Sequence, residues 1–90
     1  MNSLNLDSWW DEPAYKAAQG SFSDKGTFIL AKLEQHDAAK LKVVVDDLYR
    51  GEERDPQDIT KFEWQVILAY MGASEEAIAD VQKRMGRVWR

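Results

Sequence analysis

The stretch from Asp55 to Gly72, DPQDITKFEWQVILAYMG, carries the strongest helix signal in the chain. Asp55 is a preferred N-cap residue, and Pro56 follows at the first helical position, where its missing N–H has no bond to lose. Gly72 can adopt the left-handed conformation that ends many helices. A helix that is apolar on nearly all sides is normally buried, so the stretch predicts a buried central helix over residues 56–71. Its apolar side chains fall on two faces, Ile59, Phe62, Val66, Ala69 and Tyr70 on one and Trp64, Ile67, Leu68 and Met71 on the other.

The chain before this stretch contains signals for three shorter helices. Pro13 suits the first turn of a helix from about Glu12 to Gln19. The segment GSFSDKG, residues 20–26, has glycine at both ends and indicates a loop, with Ser23 or Asp24 as the cap of the next helix. The segment from Thr27 to Gly51 has two apolar clusters that do not share one helical face. We therefore predict two helices, over 26–35 and 38–50, with a break near His36-Asp37 and Asp37 as the new cap.

A strand interpretation of residues 27–50 stays open. The β-branched run Val43-Val44-Val45 favours strands over TFILAKL and KLKVVVDD. The connector EQHDAA has no turn glycine and contains two alanines, which favours helices.

The C-terminal part of the chain predicts a helical hairpin. Gly72-Ala73 forms a short turn, and Ser74 is the N-cap of a last helix that begins with Glu75 and Glu76. With the preceding helices, this predicts an all-α fold, a compact bundle of four to five short helices. We expect one domain over residues 1–90, with residues 1–11 as a flexible N-terminal segment in one alternative.

Composition narrows the classes of protein to consider. The chain has no cysteine, which excludes disulfides and thiolate zinc sites, and its formal net charge is −4. The N-terminus lacks the basic and apolar regions of a signal peptide, and no apolar run approaches a membrane span. We expect no membrane association and a cytoplasmic location in the cell or host.

Motifs for catalysis or cofactor binding do not emerge from the sequence. His36 is the single histidine, and the glycines form no phosphate-binding loop. A calcium loop beginning at Asp46 would put Leu48 and Arg50 at ligand positions, where they cannot supply carboxylates. We therefore expect a protein that is not an enzyme and that has no cofactor and no metal.

The segment QVILAYMGASEEAIADV resembles the turn of a helix-turn-helix DNA-binding unit. Gly72, Ser74, Ile78 and Val81 fall at the spacing of that family's turn glycine, second-helix cap and two core positions. The resemblance implies a DNA-binding regulator that uses residues 65–90. Glu75 and Glu76 stand where the recognition helix would approach phosphates, so nucleic acid is disfavoured. The basic candidates for this alternative are Arg84, Arg87 and Arg90.

Aromatic and acidic residues favour a protein partner instead. Tryptophan is enriched at interface hot spots, and acidic groups can steer a basic partner. We expect a small acidic regulatory protein of adaptor or inhibitor type, as is common among phage and mobile-element proteins, and leave self-association open. Adjacent residues cannot both face one way, so one tryptophan of the Trp9-Trp10 pair is either an exposed anchor or a lid on the core. The candidate contact residues are Trp9, Trp10, Trp89, Asp46, Asp47, Glu52 and Glu53.

Overall fold

The structure, a computed structural model, describes residues 4–86 and contains helices without strands in that range. The all-α prediction is confirmed, and the strand alternative for residues 27–50 is wrong. The elements in order are a 3-10 helix, α1, α2, a second 3-10 helix, α3 and α4. Their bounds are Asp7–Asp11, Pro13–Ala18, Phe22–Tyr49, Pro56–Asp58, Lys61–Tyr70 and Glu75–Met85. Within these residues no helix combines the length and the apolarity that a bilayer crossing requires.

Helix α2 begins inside the segment predicted as a loop. Ser21 is its N-cap, and the Ser21 Oγ accepts a hydrogen bond from the Asp24 N–H at 3.2 Å. Gly26 is therefore helical. A Cβ built on Gly26 would lie 2.9 Å from the Pro56 Cβ and 3.3 Å from Trp64 Cζ2. The glycine permits close packing of α2 against the second 3-10 helix, so its role is tertiary and not that of a turn residue.

The predicted break near His36-Asp37 is confirmed. Asp37 has non-helical backbone angles, φ −162° and ψ 89°, in the middle of α2. Its Oδ1 accepts a hydrogen bond from the Lys40 N–H at 3.0 Å, as an N-cap does. α2 therefore consists of two arms that meet at Asp37.

The predicted central helix over 56–71 is wrong at its start. Asp55 caps only the short 3-10 helix, and the backbone then leaves the helical region at Ile59 and Thr60. Helix α3 starts again with a capping box, in which the Thr60 N–H donates to Glu63 Oε1 at 2.9 Å and the Glu63 N–H donates to Thr60 Oγ1 at 3.1 Å. The sequence therefore has two helix start signals close together, Asp55-Pro56 and the Thr60/Glu63 capping box. The capping box begins the α-helix.

The hairpin from α3 to α4 follows the predicted signals. Gly72 has φ +100°, and the Ala73 N–H donates to the Leu68 carbonyl at 2.9 Å. Ser74 Oγ then accepts from the Ala77 N–H at 3.1 Å. The other end of α4 is held by Lys25, a buried residue that sequence analysis did not single out. Its ammonium group donates to the Arg84 and Met85 carbonyls at 2.9 and 3.0 Å.

The tryptophan pair lies in the core. Trp9 and Trp10 are 5% and 9% exposed, because the first 3-10 helix packs against α1 and the Trp9 ring reaches Phe28 on α2. The two rings meet edge to face at 6.2 Å, and each also contacts another ring, Phe28 for Trp9 and Tyr15 for Trp10. Of the two alternatives left open for this pair, the structure has the core position, and for both tryptophans, because the neighbouring helices supply aromatic contacts for each ring.

Candidate functional site

A surface groove forms where α2 ends and the chain turns back. Arg50 and Gly51 are both left-handed, with φ +53° and +81°, so the chain reverses sharply after Tyr49. The Glu52 N–H donates to the Tyr49 carbonyl at 3.0 Å and closes the turn. This reversal brings residues 52–54 beside the last turns of α2.

The groove combines an apolar floor with an acidic rim. Its volume is about 390 Å³, and its apolar lining is Leu30, Val45, Tyr49 and Ile59. The exposed residues Asp46, Glu52 and Glu53 also line it. Three of the four acidic residues selected from the sequence therefore lie at one groove. We call this feature the acidic groove.

The fourth selected acidic residue lies apart from it. Asp47 is exposed on α2 and is not part of the lining. Asp46 already has a salt bridge, because Lys42 Nζ lies 2.7 Å from its Oδ2. The carboxylates of the acidic groove that can bind a partner are therefore mainly those of Glu52 and Glu53.

Tyr49 and Arg54 form an aromatic–cation pair in the acidic groove. The guanidinium carbon of Arg54 lies 4.7 Å from the centroid of the Tyr49 ring. Tyr49 is 4% exposed, and its hydroxyl makes no hydrogen bond. Burial raises the pKa of Tyr49 well above its usual range, the charge and the close approach of the Glu63 carboxylate raise it further, and the charge of Arg54 acts in the opposite direction. The phenol therefore stays neutral throughout the physiological pH range.

Exposed apolar side chains lie on α3, on the face predicted to be buried. Phe62 is 69% exposed and Tyr70 is 44% exposed, whereas Trp64, Ile67 and Leu68 are fully buried. The prediction that α3 is buried on nearly all sides is therefore wrong for the Phe62 face. Phe62 follows the groove residue Ile59 by three positions, and it is the most exposed large apolar side chain in the described chain.

The candidate aromatic anchors from sequence analysis are not on this surface. Trp9 and Trp10 are in the core, as described above, and Trp89 lies outside the described residues. Among the candidates for DNA contact, Arg87 and Arg90 also lie outside the described residues. Arg84 is engaged within the fold, with its Nε 2.9 Å from Asp80 Oδ2 and its guanidinium carbon 4.5 Å from the Trp10 ring centroid. The hydrogen bond to Asp80 raises the pKa of Arg84 above its usual value.

Other polar groups do not converge on a reactive site within residues 4–86. His36 is exposed near the α2 break, and no group of three or more histidines and carboxylates in this range is placed to hold a metal ion. A larger groove, of about 540 Å³, lies between the N-terminal segment and the start of α4. Asp7, Glu76 and Asp80 line it, without an aromatic side chain.

Comparison with known proteins adds no relative to this picture: no family model, no curated protein and no solved structure matches the chain.

Sequence analysis missed Tyr49, Arg54 and Phe62. The first two become neighbours through the left-handed conformation of Arg50, which nothing in an arginine side chain predicts. The exposure of Phe62 depends on which faces of α3 receive α2 and α4.

Proposed function

We propose that this chain is a small non-catalytic binding protein of adaptor or inhibitor type, which uses the acidic groove to bind a basic segment of a protein partner. The supporting observation is the convergence of Asp46, Glu52 and Glu53 on one groove with an apolar floor. Carboxylates at a rim raise association rates with a basic partner, and the apolar floor accepts the aliphatic part of a lysine or arginine side chain.

Phe62 is the apolar contact that we assign to the same partner. Aromatic side chains contribute strongly at interface hot spots, and a 69% exposed phenylalanine can lose water-exposed apolar area only on binding. It takes the role that sequence analysis assigned to the tryptophan pair.

The test is affinity capture from host lysate in the presence of nuclease, with matched charge variants. We expect one nuclease-resistant partner at stoichiometric amounts. Glu52→Gln/Glu53→Gln should slow its association about tenfold, because steering by rim charges acts mainly on that rate. The control is Glu75→Gln/Glu76→Gln on α4, which removes the same charge elsewhere and should leave capture unchanged. Equal loss in both variants would reject the acidic groove as the binding surface.

The DNA-binding alternative has weaker support in the geometry. Arg84 is engaged by Asp80 and Trp10, and Glu75 and Glu76 are exposed at the start of α4. We expect no binding to duplex DNA even at low salt, where phosphate contacts are strongest. A salt-dependent affinity that increases in Glu75→Gln/Glu76→Gln would favour the DNA-binding alternative over the protein partner.

A further inference from the structure

Arg54 occupies the acidic groove in the way that a ligand would. Its guanidinium stacks over Tyr49 at 4.7 Å and shares the groove with Asp46, Glu52 and Glu53. Yet Arg54 is exposed, and it takes part in none of the salt bridges found within residues 4–86, which join Lys32 to Glu12, Lys42 to Asp46 and Arg84 to Asp80. Its position therefore depends on the Tyr49 ring and on the electrostatic attraction of the nearby carboxylates. Any other guanidinium can make the same two interactions.

The chemistry of the acidic groove suits a guanidinium better than an ammonium group. A planar, weakly hydrated guanidinium stacks on an aromatic face and presents five N–H donors to carboxylates, whereas lysine offers a strongly hydrated point charge. The Tyr49 ring supplies the face, and Glu52 and Glu53 supply carboxylates.

Tyr49 itself is nearly enclosed. It is 4% exposed with Arg54 over its ring, so another guanidinium can reach the ring face only when Arg54 moves away.

We propose that the acidic groove receives the guanidinium of an arginine in the partner's basic segment, and that Arg54 occupies the same position until that arginine displaces it. This inference rests on the proposed function and adds to it the residue that is recognised and an internal competitor. Displacing Arg54 lowers the apparent affinity, because the acidic groove is open for only part of the time.

The experiment is a titration of the whole chain with two blocked pentapeptides, in which a central arginine or lysine is flanked by glycine and alanine. Binding is followed by the NMR signals of the Tyr49 ring and by calorimetry. We expect the arginine peptide to bind more tightly than the lysine peptide. Arg54→Ala should bind the arginine peptide about three- to fivefold more tightly than the wild type, the factor that corresponds to losing an exposed cation–π competitor.

The matched control is Lys16→Ala on α1, which removes one positive charge away from the acidic groove. Lys16 is exposed, and α1 contacts α2 and the first 3-10 helix but not α3. Lys16→Ala should bind as the wild type does. If Arg54→Ala and Lys16→Ala shift the affinity equally, the effect is one of net charge and the competitor role is wrong. Tyr49→Phe keeps the ring and should retain the preference for arginine over lysine.

The two proposals fail in different ways. If a partner is captured through Glu52 and Glu53 but Arg54→Ala changes neither its capture nor the peptide affinity, the arginine inference is overturned and the proposed function stands. If Arg54→Ala binds the arginine peptide more tightly but no protein is captured, the proposed function fails.

Discussion

Within residues 4–86, two arginines stack on aromatic rings, one fixed within the fold and one in an exposed turn. Arg84 lies over Trp10 and is also bound to Asp80, so the N-terminal segment, α4 and a buried indole are joined at one point. Arg54 lies over Tyr49 from an exposed turn, without a comparable salt bridge in the described chain. Arg84 and Trp10 form part of the packed core. Arg54 and Tyr49 form the same kind of contact at the surface, where a different cation can replace the arginine. The difference shows that an aromatic–guanidinium contact is structural only where other bonds fix the cation.

The largest effect should be the loss of stability on replacing Trp10, the ring beneath Arg84. Trp10→Ala removes a nearly buried indole and its contacts with Trp9 and Tyr15, so we expect the free energy of unfolding to fall by about 3–5 kcal/mol. Urea unfolding followed by circular dichroism measures it. Phe62→Ala is the control on the exposed face of α3 and should change stability by less than about 0.5 kcal/mol. Equal losses in the two variants would show that Trp10 contributes no more to the core than the exposed Phe62 does.

The second effect concerns the joint between α2 and the second 3-10 helix. Gly26→Ala puts a Cβ 2.9 Å from the Pro56 Cβ, so we expect overpacking to cost about 1–3 kcal/mol despite the better helix propensity of alanine. Gly20→Ala is the control, because no atom lies within 4 Å of the added Cβ and its φ is not positive. A Gly26→Ala protein more stable than the wild type would show that the two elements can separate at little cost.

A third prediction compares the two arginines directly. Arg84→Ala loses a cation–π contact and an i,i+4 salt bridge, so we expect a loss of about 1 kcal/mol in unfolding free energy. Arg54→Ala should cost about 0.5 kcal/mol or less. Thermal unfolding of both variants in one buffer gives the comparison. A larger loss for Arg54→Ala would make that residue part of the fold and would contradict its exchange with a ligand.

The smallest effect is a pH dependence at Tyr49. Its folded-state pKa is raised, so the unfolded chain releases this proton first, and stability falls as the pH rises above about 10. Tyr49→Phe should remove this part of the decline and, at neutral pH, should be up to about 1 kcal/mol more stable, because an unpaired buried hydroxyl is gone. Melting curves between about pH 8 and 11, on either side of the usual tyrosine pKa, test both expectations. Parallel curves for the two proteins would mean that the phenol titrates normally.

The parts of this fold that sequence predicts are those determined by local chemistry. Asp37 and Ser74 cap their helices with their own side chains, and Gly72 adopts the positive φ that a helix end requires. These features depend on residues within a few positions of each other, so they can be predicted from the sequence.

The parts that sequence did not predict depend on distant contacts. Gly26 suggests a loop until Pro56 and Trp64 are placed beside it. Thr60 and Glu63 have the spacing of a capping box, yet Asp55 and Pro56 offer a competing start a few residues earlier, and only the fold decides between them. In the acidic groove the carboxylates were predictable as a charged cluster. The Tyr49 platform was not, because it requires Arg50 to be left-handed.

The break at Asp37 sets the proportions of the whole molecule. A straight α2 of 28 residues would measure about 42 Å, whereas the longest dimension of the protein is 32 Å. An unbroken rod would hold the Gly26 joint and the acidic groove at opposite extremes, and α3, about 15 Å long, could not bridge the distance. A single carboxylate that interrupts a helix therefore converts an elongated shape into a compact one and brings both ends of α2 within reach of the same short helices.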